Sequence, residues 1–309
     1  MQCVLLTGSE GSLGTFVARC LCGNDFKIVR VGRRQEHNIY PGGGLYYKGD
    51  LQDKNVLDLI FNNHSIDYVI HCAALWNGFN SDFSIIYNNV SITLNLLNYC
   101  KSIKKFVYIS SSGVYENFNE APLEDASLGL FRPASAYGLS KLISEELIVA
   151  RYDIPFVIFR PFHIVSPEEK YCPGSSHICT DVAHNVIECS RKIKLDVFSK
   201  NKRLPLVWVG DIAELIVSSL LDGRYHNNIF NVGNLNEITP FHAVAEVIKI
   251  AEEMGYVSDG LKNIEIPDLP VFEDDLRFRK IESLLGWRAV TTPQDCVRKF
   301  MSFKYGAIG

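Results

Sequence analysis

Thr7-Gly8-Ser9-Glu10-Gly11-Ser12-Leu13-Gly14 follows the apolar run Cys3-Val4-Leu5-Leu6 and leads straight into a stretch of helical length, residues 13–22. A strand, a glycine turn and a helix in that order have a specific physical use. The first glycine allows a tight turn, the second lets the backbone approach a pyrophosphate, and the third lets helix and strand pack closely. The helix N-terminus meanwhile offers free amides to the anion. The spacing therefore predicts a dinucleotide-binding turn on Gly8, Gly11 and Gly14, and with it an α/β fold.

Working outward, short apolar runs at 3–6, 27–31, 45–48, 68–72, 106–110 and 156–159 read as strands. Between them, 13–22, 53–63, 83–100 and 136–152 have helical length. Continuous apolar strands separated by helices imply a parallel sheet covered on both faces, hence a doubly wound, Rossmann-type domain. After Arg160-Pro161 the pattern loosens through 163–203, with one helical segment near 181–192, and reads as an insertion outside the sheet. The parallel pattern is expected to return with a strand at 206–209, a helix at 211–221 and a strand at 229–232. Helices near 240–254 and 293–302 complete the chain. The expected division is a dinucleotide-binding domain of residues 1–161 and 206–234, with a smaller discontinuous substrate lobe of residues 162–205 and 235–309.

The end of the second strand reports on the cofactor, because a carboxylate there would hydrogen-bond the ribose of NAD. The sequence is Val31-Gly32-Arg33-Arg34, with no carboxylate and two guanidinium groups suited to a 2′-phosphate. NADP is expected over NAD. Gly49-Asp50-Leu51 follows the third strand at the adenine edge, and Cys72-Ala73-Ala74 ends the fourth with small residues that permit close backbone approach.

Of the fourteen tyrosines, only Tyr137 has a lysine four residues on, Lys141. On a helix the two project from one face, so the ammonium is expected to favour the ionised phenol and bring its pKa down from about 10. The apolar stripe Leu139, Leu142, Ile143, Leu147 and Ala150 is expected to be the packed face, leaving Tyr137 and Lys141 off it. Upstream, Ser110-Ser111-Ser112 closes a strand.

Composition excludes other classes. With 309 residues, 47% hydrophobic and 21% charged, the chain can bury a substantial core, and its net charge of −4 argues against nucleic-acid binding. No stretch approaches the roughly 20 apolar residues of a membrane span, and no basic leader precedes an apolar run, so a cytoplasmic location is expected. Nine cysteines without a Cys-x-x-Cys do not suggest a disulfide framework. His177, Cys179, Asp181 and His184 are suitable ligand types without a zinc spacing, and no metal is expected.

The chain resembles the extended short-chain dehydrogenase/reductase family, which contains nucleotide-sugar epimerases, dehydratases and reductases. Beyond the glycine turn and Tyr137/Lys141, the resemblance rests on Asp50-Leu51, His71-Cys72-Ala73-Ala74, Asn89-Val90, Ser110-Ser111-Ser112-Gly113-Val114-Tyr115 and Arg160-Pro161-Phe162-His163. It continues through Val209-Gly210-Asp211-Ile212-Ala213, Phe230-Asn231-Val232-Gly233 and Leu285-Gly286-Trp287. The resemblance implies that Ser111, Tyr137 and Lys141 are catalytic. Ser111 would bond the reacting oxygen, Tyr137 would act as acid/base, and Lys141 would hold the nicotinamide ribose. It also implies a cofactor lining of Ser12, Leu13, Asp50, Leu51, Ala73, Ala74, Leu75, Asn89 and Phe162. Substrate contacts are expected from Ser111, Ser112, Tyr137 and His163, and a homodimer is expected through helices 83–100 and 136–152.

Where dehydratases of this group carry an Asp-Glu pair after the catalytic hydroxyl, this chain has Ser112-Gly113, which leaves elimination without an evident acid and base. Arg277 or Arg279 is a candidate for contact with a substrate diphosphate, while Arg203 stands one residue out of the register at which many family members carry an arginine. The leading expectation is an NADPH-dependent reductase of a 4-keto nucleotide sugar. An NAD-dependent nucleotide-sugar 4-epimerase is the alternative, and a non-catalytic dinucleotide-binding sensor or scaffold is the alternative of another class.

Overall fold

The computed structural model describes residues 1–34, 44–76, 82–116, 123–124, 133–151, 153–257, 266–272 and 276–306. Its centre is a seven-stranded parallel sheet. The strands β1 (Gln2–Thr7), β2 (Phe26–Gly32), β3 (Leu45–Lys48), β4 (Tyr68–His71), β5 (Lys105–Ile109), β6 (Phe156–Pro161) and β9 (Asn228–Val232) lie in the order β3-β2-β1-β4-β5-β6-β9. Side chains alternate between the faces. Val4 and Leu6 point into the core under α1 (Ser12–Cys22) and α6 (Val209–Ser218). Cys3 and Leu5 point into the opposite core under α2 (Lys54–Asn63), α3 (Ser84–Tyr99) and α4 (Ala136–Val149). Strands buried on both faces need apolar residues at every position, which is why they read as unbroken runs. The order reverses between β1 and β4, so a crevice opens beyond their C-terminal ends.

The strand expected at 206–209 does not rejoin this sheet. Val207–Trp208 (β8) pairs with Ile164–Val165 (β7) in a separate two-stranded sheet. The cause lies at the end of β6. After Phe162 donates to the Val232 carbonyl, His163 adopts φ 44° and turns the chain away, and its carbonyl accepts from Val207. The helix expected at 181–192 begins earlier, as α5 (Ile178–Ala183) continued by a π turn over His184–Glu188, and Ser190 at φ 51° ends it. A short helix absent from the sequence reading, α8 (Arg279–Leu285), is closed by Gly286 at φ 67°. α7 (Pro240–Glu253) packs against α9 (Pro293–Tyr305) and α5, continuing the core beneath α6.

The buried face of α4 is the reverse of the expected one. Gly138, Ser140, Lys141, Ser144, Glu145 and Ile148 are buried, whereas Leu139, Leu142, Ile143 and Leu147 are half-buried and Ala150 is exposed. α4 packs on α3, whose Asn89 and Thr93 bond Ser140 and Ser144 at 3.0 and 3.2 Å. A polar face is buried there because each polar group has a partner.

Candidate active site

The glycine turn sits in the crevice. Gly8 has φ 68°, and a Cβ on it would stand 2.6 Å from the Ala73 amide nitrogen; a Cβ on Gly14 would stand 2.1 Å from the Gly8 carbonyl oxygen. No side chain fits at either position. Gly11 is the N-cap of α1 without a side-chain cap, and the first turn carries no acidic residue, so the amides at Ser12 and Leu13 meet an anion without competition. This cradle fits a dinucleotide pyrophosphate. Behind it Thr7 bonds the Ala73 amide at 3.2 Å and His71 Nδ1 at 2.7 Å, while His71 Nε2 reaches Thr93 at 3.1 Å. Burial, with Lys141 nearby, pushes His71 down to about 3, so it is a neutral strut joining β1, β4 and α3.

Arg33 and Arg34 are exposed at the end of β2; Arg34 Nη1 donates to the Glu10 carbonyl at 3.4 Å. The sequence shows no carboxylate there, but the fold brings one. A Cβ on Gly32 would lie 3.3 Å from Glu10 Cγ, and the Glu10 carboxylate lies 3.7 Å from the buried Arg30. The glycine turn folds back alongside β2, an approach invisible in a linear reading. Asp50 accepts from the Gln52 amide at 2.9 Å and Leu51 is buried, both in the turn leading to α2. Ala73, Ala74 and Leu75 are held by Asn89, which accepts from the Leu75 amide at 2.7 Å and donates to its carbonyl at 3.1 Å. Asn89 thus braces this stretch from behind.

The structure brings Ser111, Tyr137 and Lys141 together. The Ser111 hydroxyl stands by the Tyr137 phenol, near enough to act against the rise of its pKa. Lys141 Nζ lies 5.6 Å from the Tyr137 ring centre and 4.8 Å from that of Tyr108, and donates to the Ile109 carbonyl at 2.6 Å. The expectation that Lys141 lowers the phenol does not hold. Burial pushes Tyr137 up to about 12, with the Ser111 hydroxyl working against that and the Glu116 charge adding to it. Lys141 is itself pushed down to about 8 by burial, partly offset by Cys72 and Glu145. A hydroxyl, a phenol and a lysine so grouped can pass a proton to or from a carbonyl oxygen.

A model of the NAD dependent epimerase/dehydratase family matches residues 4–233. The chain belongs to that family. Among its relatives, a dTDP-D-glucose 4,6-dehydratase of Dictyostelium discoideum is 27% identical, over 81% of this chain and 62% of its own length. A putative UDP-glucose 4-epimerase of Methanocaldococcus jannaschii is 27% identical over 97% of both chains. The solved UDP-glucose 4-epimerase of Thermotoga maritima, in complex with UDP-glucose, superposes with a TM-score of 0.78 at 19% identity over 98% of both chains.

In this family member, side-chain contacts continue from Tyr137 through Trp76, which the sequence did not single out. Trp76 packs edge-on against the Tyr137 ring at 4.6 Å, and its indole donates to the Ser175 carbonyl at 3.1 Å. Its only signal in sequence is its place after the small residues Ala73 and Ala74. Two residues beyond Ser175, His177 is bound by Glu169 at 2.7 Å; burial opposes its charge, but Glu169 outweighs burial and raises its pKa. His163 is solvent-accessible yet ringed by protein. Burial, then His177, Lys202 and Arg277, push it down to about 4. Phe162 is buried, stacked on Tyr115 and edge-on to Phe278. Arg203 and Arg277 both bond the buried Glu237. Among the described residues no group of His, Cys, Asp and Glu is arranged to hold a metal ion, and no helix is long and apolar enough to cross a membrane.

The low pKa of Lys141 has a thermodynamic consequence. Its folded value, about 8, lies below its ordinary 10.5, so the unfolded chain binds more protons between those values and Lys141 weakens the fold most below pH 8. Lys141→Met is expected to be more stable at pH 7 by about 1–3 kcal/mol. That advantage should shrink as pH rises from 8 to 10.5. Urea unfolding of both proteins across this range checks it, and a constant difference would refute the buried ammonium.

Proposed function

We propose that this chain is an NAD(P)-dependent oxidoreductase acting on a nucleotide sugar, specifically an NADPH-dependent reductase of a 4-keto nucleotide sugar. The observation that carries this reading is a run of neighbouring side chains. The Ser111–Tyr137 pair stands at one end, Trp76 and Ser175 lie between, and His163 with Lys202 and Arg277 stands at the other. A neutral sugar carbonyl suits the first end and a phosphate the second. Ser112-Gly113 in place of paired carboxylates speaks against elimination.

A dinucleotide bound there would supply a hydride to the carbonyl carbon. Tyr137 gives its proton to the carbonyl oxygen, and the O–H electron pair stays on the phenol oxygen. Ser111 holds that same oxygen, with Ser112 and His163 as further substrate contacts. Gly8, Gly11, Ser12, Leu13 and Gly14 would hold the pyrophosphate, and Asp50 and Leu51 the adenine end. Ala73, Ala74, Leu75, Lys141 and Phe162 would line the nicotinamide half, with Asn89 bracing them. Arg33 and Arg34 would take the 2′-phosphate. Residues 162–205 and 235–309 would form the substrate lobe. The NAD-dependent 4-epimerase is the second reading, favoured by Glu10, which places a carboxylate beside Gly32.

Exposed apolar residues on α3, with Tyr87 at 69% and Leu94 at 44%, lie seven residues apart on one face of the helix, which supports a homodimer through α3 and α4. Sedimentation should give a two-chain mass, reduced to one chain by Tyr87→Glu with Leu94→Glu. A one-chain mass for the unsubstituted protein would refute this.

Tyr137→Phe is expected to lower turnover by about 10²–10⁴-fold while leaving dinucleotide affinity intact. Surviving turnover would make Tyr137 the wrong acid. Arg33→Asp should weaken NADPH binding far more than NADH binding, and equal losses would refute the 2′-phosphate role. A reductase consumes added NADPH with a 4-keto nucleotide sugar, whereas an epimerase retains its nicotinamide and shows no net consumption.

A further inference from the structure

Glu116 follows the 3₁₀ turn Ser112–Tyr115, and its carboxylate turns back onto the start of α4. Oε2 accepts from the Ser135 amide at 2.7 Å and Oε1 from the Ser135 hydroxyl at 2.8 Å. Ser135 is the N-cap of α4, its hydroxyl accepting from the Gly138 amide at 3.0 Å, and Tyr137 is the helix's second residue. The first turn of α4 has no acidic residue of its own, so Glu116 supplies from outside the negative charge that a helix N-terminus favours. Gly113 lets this happen. A Cβ there would stand 3.2 Å from Glu116 Oε1 and 3.3 Å from Ser111 Oγ, so the carboxylate and the serine hydroxyl converge on one point. Turn and helix also meet backbone to backbone, since a Cβ on Gly138 would lie 2.3 Å from the Gly113 carbonyl oxygen.

We propose that Glu116 is a positioning residue of the proton-transfer centre: through Ser135 it fixes the helical turn that carries Tyr137, and its charge faces the phenolate that forms when Tyr137 gives up its proton. The proposal rests on the reading of Tyr137 as proton donor and deepens it. A carboxylate beside a forming phenolate favours the protonated phenol. The resting centre is thereby set to donate, which is the direction carbonyl reduction needs.

The other groups around Tyr137 are few among the described residues. Lys141, on the same helix, lies 5.6 Å from the ring centre and donates to the Ile109 carbonyl. Glu145, one turn beyond Lys141, is paired with Arg160. Tyr108 on β5 stays neutral, raised by burial, and Trp76 is uncharged. Cys72, which meets Lys141, is kept a thiol by burial, at about 12. Among the described residues Glu116 is thus the carboxylate whose charge reaches the phenol, in keeping with the rise of Tyr137.

The test reads Tyr137 directly. Protein labelled with ¹³Cζ-tyrosine is titrated by NMR, and the resonance missing from Tyr137→Phe is that of Tyr137. Glu116→Gln keeps the shape and one acceptor oxygen for the Ser135 amide while removing the charge, and is expected to move the Tyr137 midpoint down by about half to one pH unit. Glu116→Asp keeps the charge and should titrate close to the unsubstituted protein. A midpoint unmoved in Glu116→Gln overturns the proposal, because a purely structural Glu116 would leave it in place. Glu116→Ala, which also loses the anchor, should speed amide exchange at Gly138, and unchanged exchange would overturn the positioning role. Since neither measurement needs turnover, failure of the functional reading would show separately, as activity surviving in Tyr137→Phe.

Discussion

A carboxylate and a guanidinium buried together, Glu145 on α4 and Arg160 on β6, hold the helix of the candidate active site against the sheet. Arg160 Nη2 lies 2.5 Å and Nε 3.0 Å from the carboxylate oxygens, and both side chains are shielded from solvent. Removing two charges from water costs several kcal/mol per ion, and such a pair persists only where further hydrogen bonds satisfy the remaining lone pairs and protons. Here Ser110 donates to Glu145, and Arg160 donates to the Tyr115 hydroxyl, which in turn bonds Asn231 at 2.9 Å. The network joins β5, β6, β9, α4 and the 3₁₀ turn. It includes the neighbour of Ser111, and it lies one helical turn from Lys141. Moving any member displaces the serine, the lysine or both.

The contact between α3 and α4 follows the same rule. Hydroxyls, small residues and one asparagine take the places where a helix of this length would ordinarily present leucines. Asn89, Thr93, Ser140 and Ser144 satisfy one another, and His71 carries the chain of bonds on to Thr7 and the glycine turn. The glycine turn and the helix carrying Tyr137 are therefore connected by directional bonds. Such bonds specify one register between the two helices, whereas apolar contacts tolerate sliding.

Much of this was legible in sequence where the physics is local. The β1 turn shows itself in three glycines because each has a steric reason to be glycine. The Tyr137 and Lys141 spacing is legible because a helix has a fixed period. The polar face of α4 was misread because hydrophobic periodicity assumes an apolar partner, and the partners of Ser140, Ser144 and Glu145 lie 51, 51 and 15 residues away. The strand at 207–208 was misplaced because one residue, His163, bends the chain out of the sheet before it returns. Trp76 and Glu116 were not singled out, since nothing beside either in the chain marks what it touches.

The sequence by itself determined the order of strands and helices, the glycine turn and the family's chemical groups, because turns, caps and periodicities depend on residues a few positions apart. Only the tertiary structure decided which face of α4 is buried, that Glu10 reaches the end of β2, that Trp76 lies against Tyr137 and that Glu116 stands at the helix carrying it. Each of these depends on what a side chain meets from a distant segment. Burial then decides the outcome: the same lysine or tyrosine titrates differently according to the water it loses and the charges that replace it.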